Sequence, residues 1–154
     1  MKSVQETFAP NGRCFGCGPT NARGLCIQSF LSEDRKELVT DWTPEPHHEA
    51  FEGVLNGGII GVLMDCHSVW TAACHFMHRD QLESAPCTVT GDFHVTLNKP
   101  TPSKAPLRLV ARVTESRGRV ATVEATLSSG GQVTATCTGH FVAVKPDHPA
   151  YHRW

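Results

Sequence analysis

No block of like charge occurs anywhere in the chain. Fourteen Lys and Arg stand against 15 Asp and Glu among 154 residues, so bulk electrostatics offers nothing to a nucleic acid or an anionic membrane surface. Long apolar runs are missing too: the longest is far short of a membrane span, and residues 1–10 lack the apolar core of a signal peptide. Internal repeats and low-complexity segments are absent. Seven cysteines make an odd count scattered over unlike contexts. Without a secretory signal they read as reduced thiols of a cytoplasmic protein. The nine histidines are too dispersed to define a site. The length suits a single domain, 1–154, around one core.

What the chain does have is one long helix. From Gly57, residues Ile59, Leu63, Cys66, Trp70, Ala73 and Met77 recur at steps of four and three, one stripe of an α-helix ending before Asp80. Val62, Val69 and Phe76 flank the stripe on one side, and His67, Thr71, His75 and His78 on the other, where the three histidines read as surface or interface residues. Asp65 falls with the apolar flank. Desolvating a carboxylate there costs free energy unless something uses it.

Around the helix the periodicity is that of strands. Residues 24–31 and 36–42 read as a hairpin turning at 32–35, and 43–55 as an irregular loop. After the helix, 87–97 alternates apolar Cys87, Val89, Phe93, Val95 and Leu97 with Thr88, Thr90, Asp92, His94 and Thr96. Three further strands, 107–114, 119–127 and 133–144, follow through short glycine turns, which implies an antiparallel meander. Residues 1–13 read as an extended arm and 145–154 as a loop-like tail. The class is α+β, a sheet of about six strands around one helix.

This order resembles the hotdog fold, and the motifs resemble acyl-CoA thioesterases of the 4-hydroxybenzoyl-CoA and phenylacetate-pathway type. Those proteins carry His-Gly-Gly at the helix start and an acidic residue nine positions after the histidine. Here Asn56-Gly57-Gly58 opens the helix and Asp65 lies nine positions after Asn56. Cys14-Phe15-Gly16-Cys17-Gly18 with Asn21 and Gly24-Leu25 resembles the entry segment of bacterial members. His48 with Phe51-Glu52-Gly53, Val89-Thr90, Lys99-Pro100 and Arg117-Gly118-Arg119 resemble later family segments. The chain departs from the pattern at Asn56, which can donate and accept hydrogen bonds but cannot titrate near neutral pH.

The resemblance implies a homodimer or homotetramer that hydrolyses a thioester to a carboxylate and free coenzyme A. Asp65 would be general base or nucleophile. Gly57 and Gly58 would donate backbone N–H groups to the oxyanion at the helix start, where Asn56 stands in the histidine's place. Thr90 of the neighbouring subunit would orient water, re-aimed by a bulge at Gly91. His48, Arg117, Arg119 and Lys99 would bind substrate, the basic residues at the coenzyme A phosphates. Trp70 and Phe76 would suit an aromatic acyl pocket. No metal or redox cofactor is required, and coenzyme A enters only as part of the substrate. Apart from the resemblance, the spacing Cys14-x-x-Cys17 is half of a zinc knuckle's, and were zinc to bind, His47 or His48 would add a ligand to those two cysteines. The rival readings are a non-hydrolytic acyl-CoA-binding protein and an enoyl-CoA hydratase. The latter pairs its acid with a histidine five residues on, where this chain has Trp70.

Overall fold

The computed structural model describes residues 1–152. The elements in chain order are α1 (Val4–Phe8), β1 (Phe30–Leu31), β2 (Glu37–Trp42), a 3-10 turn (Pro46–His48), β3 (Glu49–Phe51), β4 (Val54–Leu55), α2 (Gly57–Arg79), β5 (Thr88–Leu97), β6 (Leu107–Arg117), β7 (Val120–Ser129) and β8 (Gln132–Ala143). Six strands form one antiparallel sheet in the order β1-β2-β6-β7-β8-β5, and β3 pairs with β4 apart from it. The sheet wraps α2, as the sequence predicts.

The helix is fixed by its two ends and by one stripe. Asn56 caps it: the side-chain Oδ1 accepts from the N–H of Gly58 at 2.8 Å and of Ile59 at 3.4 Å, satisfying two donors that no helical carbonyl reaches. His78 and Arg79 in the last turn suit the negative end of the dipole. Gln81 then adopts a left-handed conformation, φ 52°, which stops the helix. Between the ends, Leu63, Met64, Trp70, Ala73 and Phe76 are buried against Leu107, Leu109, Ala111 and, on the central strands, Ala121, Val123, Ala125, Leu127 and Phe141. Burying each such Leu or Phe contributes about 2 kcal/mol. No unbroken apolar run approaches a membrane span, but taken whole, α2 is long and apolar enough to cross one, which corrects that expectation; 67% of its most apolar window is buried in this core.

Four further expectations are corrected. Residues 4–8 are a helix, not an extended arm, started by a capping box in which Ser3 and Glu6 satisfy each other's backbone N–H. Of 24–31 only Phe30–Leu31 pairs in the sheet, because Cys26 is left-handed (φ 48°) and the N–H groups of Leu25 and Ile27 donate to Phe15 and Gly16 carbonyls. The 43–55 loop contains a short hairpin, β3–β4. His67 is not a surface residue. It is fully buried: its Nε2–H donates to the Leu38 carbonyl at 3.0 Å and its Nδ1 accepts from Ser29 Oγ at 2.9 Å. Gln5 closes that network, its Nε2 donating to Ser29 Oγ and its Oε1 accepting from Ser29 N–H. Burial lowers the His67 pKa to about 4, so the ring stays neutral. In the tail, 145–152 is turn and loop as expected, and the last two residues lie outside the described residues.

β5 is an edge strand of ten residues. Phe93 is 41% and Leu97 54% exposed on it. Among the described residues no strand pairs with its outer edge.

Candidate active site

Asp65 lies two turns into α2, half-buried, where the helix passes under β5. Thr90 Oγ1 donates to Asp65 Oδ1 at 2.6 Å. The sequence alternation puts Thr90 on the polar face with Asp92, but the register shifts between Thr90 and Asp92, and the extra residue, Gly91, re-aims the side chain at the helix. A Cβ on Gly91 would come within 3.1 Å of the His140 carbonyl, so the irregularity suits glycine. The contact corrects one expectation: Thr90 reaches the Asp65 of its own chain. Burial raises the Asp65 pKa, against a smaller opposing effect of the Thr90 hydrogen bond, so the carboxylate holds a proton more readily than a solvated one.

A cavity of about 270 Å³ opens beside this pair. The 9–19 segment forms one wall, with Arg13 and Cys14, and α2 and β5 the other, with Asp65, Val69, Trp70 and Val89. Of the two aromatic residues offered for an acyl pocket, Trp70 lines this cavity and Phe76 is enclosed in the core. The arrangement suits a carboxylate acting on an electrophile, or on water, held in a mostly apolar recess.

The glycine donors are elsewhere. Gly57 precedes Asp65 by eight residues, about 12 Å along the helix axis, too far for both to reach one carbonyl. Gly58 does not have a free N–H at all, since the Asn56 cap takes it; only Gly57, one position earlier, lies outside the cap. The Gly57 end packs near Leu97, whose Cδ1 is 3.2 Å from where a Cβ would stand. The helix start and Asp65 therefore sit by opposite ends of β5.

The predicted phosphate-binding residues divide likewise. Lys99, Arg117 and Arg119 are exposed, and among the described residues none is in an ion pair. Arg119 precedes Val120, which pairs with Val142, itself paired with Val89. Lys99 lies past Leu97, which is itself about 26 Å along the strand from Val89. His48 is buried and structural: its Nδ1 accepts from Glu45 N–H at 2.9 Å and its ring lies 5.1 Å from Trp42.

Sequence spacing misses Cys66. Its Sγ joins those of Cys14 and Cys17 in a group whose members all lie within 4.8 Å of one another, so Cys66, 52 residues downstream of Cys14, takes the third place expected of His47 or His48. The thiols of Cys17 and Cys66 hold Cys14 well below the usual thiol range, and the contact with Cys14 pushes Cys17 and Cys66 up.

Residues 52–136 match the family model of the thioesterase superfamily. No curated protein matches the chain. Among solved structures, a thioesterase superfamily protein from Shewanella loihica is 25% identical, with a TM-score of 0.64 over 77% of this chain and 91% of that one. A Bacillus halodurans protein solved with CoA is 23% identical, TM-score 0.64, over 79% and 76%. A candidate thioesterase from Ralstonia eutropha, related to phenylacetic acid degradation, is 20% identical, TM-score 0.62, over 77% and 85%. The six-stranded antiparallel sheet around a single long helix is the hotdog fold, and with more than half of its length matched by the family model, the chain belongs to the thioesterase superfamily.

Proposed function

We propose that the protein is an acyl-CoA thioesterase, hydrolysing a thioester to a carboxylic acid and free coenzyme A. The observation that carries this is the Asp65–Thr90 pair at the wall of the 270 Å³ cavity. Asp65 takes the proton from the attacking water, or attacks the carbonyl itself to give a mixed anhydride that water then opens. Thr90 fixes the carboxylate and presents its oxygen to water. The product thiolate leaves as coenzyme A and takes up a proton. No metal or redox group has a step in this sequence. A neighbour solved with CoA supports the choice of thiol carrier, and seven free thiols suit a cytoplasmic setting.

The oxyanion donor comes from a second copy of the chain. In one chain Gly57 and Asp65 cannot converge, but the free edge of β5 offers the means. Two copies pairing antiparallel through β5, with the two-fold axis near Phe93, set the Leu97 end of one strand against the Val89 end of the other. Gly57 lies by Leu97 and Asp65 by Thr90, so each helix start faces the partner's carboxylate. The same reversal carries Lys99 toward the partner's Arg119, giving the coenzyme A phosphates a basic surface assembled from both chains.

The test is a panel of short, branched, aromatic and long-chain acyl-CoAs, with free coenzyme A measured by chromatography. Hydrolysis of at least one class at enzymatic rates is the expected result. Binding of coenzyme A esters without turnover would establish the non-hydrolytic reading, and hydration of an enoyl-CoA the third.

A further inference from the structure

The thiol group of the entry loop is built, and the thioesterase reading does not use it. The Cys14–Gly18 loop closes through the Gly18 N–H donating to the Cys14 carbonyl at 2.9 Å. A Cβ on Gly18 would meet the Cys14 backbone at 2.5 and 2.6 Å, so glycine is what permits the closure. Gly16 settles the loop on α2, where a Cβ would lie 2.4 Å from Cys66 Sγ and 2.7 Å from Val62 Cγ1. Two glycines therefore hold two cysteines of a loop over one cysteine of a helix. Cys17 and Cys66 are buried and Cys14 is exposed beside the cavity.

The spacing has a metal's dimensions. Zinc–thiolate bonds of about 2.3 Å in a tetrahedron put neighbouring sulfurs about 3.8 Å apart. Cys14 and Cys66 Sγ stand 3.7 Å apart, and the whole group within 4.8 Å. The Trp70 indole N–H donates to Cys17 Sγ at 3.3 Å, the kind of outer partner that orients a metal-bound sulfur.

We propose that Cys14, Cys17 and Cys66 bind a soft divalent cation, zinc(II), as thiolates, with the fourth position open to a water or other small donor entering from the cavity. Binding displaces the thiol protons to solvent and changes no oxidation state. The ion ties the 14–18 loop to the middle of α2, one residue past Asp65, and so fixes the cavity wall. The proposal stands independently of the thioesterase reading.

It is tested on the full chain, produced without a histidine tag from zinc-supplemented medium and dialysed against metal-free buffer. Elemental analysis should find close to one zinc per chain. Cobalt(II) added to the stripped protein should give a thiolate-to-cobalt charge-transfer band and the visible bands of a tetrahedral site. Cys14→Ser, at an exposed position, should weaken zinc binding on the order of a hundredfold or more, since losing even an outer partner costs about 10- to 100-fold. Cys26→Ser, outside the group, should leave it unchanged. Absence of the cobalt–thiolate band in the wild type would overturn the proposal without reference to any variant. So would equal retention of zinc by Cys14→Ser, or a disulfide within the trio in protein purified under reducing conditions.

Discussion

His67 and Thr90 show how a single side chain takes its meaning from partners far away in sequence. His67 is held by Ser29 and by the Leu38 carbonyl, with Gln5 behind them. His67→Leu fills much of the same volume but takes away the acceptor of the Ser29 hydroxyl proton, leaving Ser29 Oγ only the Gln5 contact, and removes the ring N–H from the buried Leu38 carbonyl. Urea unfolding should show a loss of about 2–3 kcal/mol, and an unchanged midpoint would mean that the network contributes nothing. Thr90→Val removes the hydroxyl that touches Asp65 and keeps the β-branched shape a strand prefers. The expected result is a fall in kcat of about 10- to 100-fold, the worth of one hydrogen bond to a charged group, with the melting temperature held within a few degrees. Asp65 itself was legible in the sequence, because a carboxylate on an apolar flank is conspicuous whatever lies around it. The burial of His67 was not, since periodicity places a residue on a helix face but cannot say what the rest of the chain lays over that face.

At the scale of elements, α2 was the most legible, its stripe and paired glycine giving both bounds. The strands of the meander were nearly as clear, because β7 alternates without a break. The short elements were harder. Five residues carry too little period to reveal α1, although Ser3 and Glu6 stand at the spacing of a capping box. The 24–31 strand failed because its backbone donors go to the cysteine loop, a choice made by tertiary contacts. The cap of α2 gives Asn56 a physical role where the family pattern has histidine. Asn56→Ala should cost about 1 kcal/mol in thermal or urea unfolding and Asn56→Ser much less. A cost for serine equal to that for alanine would show that capping is not what the residue supplies.

In the proposed assembly the site as a whole belongs to no single chain. Asp65 and Gly57 are both present in one molecule, but about 12 Å of helix separates them, a distance visible in the numbering once the helix is accepted. Choosing β5 for the proposed pairing needs the sheet order, which puts ten-residue β5 at one edge and two-residue β1 at the other. Phe93→Lys places a charge at the centre of that edge without touching Asp65 or its cavity. The variant should sediment as a folded monomer and lose at least about a hundredfold in turnover, the loss attached to an oxyanion donor. A monomer with wild-type activity would show that one chain suffices. If Asp65 does the chemistry, coenzyme A release from the best substrate of the panel separates wild type from Asp65→Asn at matched folding and assembly. The expected result is a fall in kcat of about 10²- to 10⁴-fold, the contribution of a positioned base, with KM changed only a few-fold. An Asp65→Asn variant turning over at the wild-type rate would contradict it.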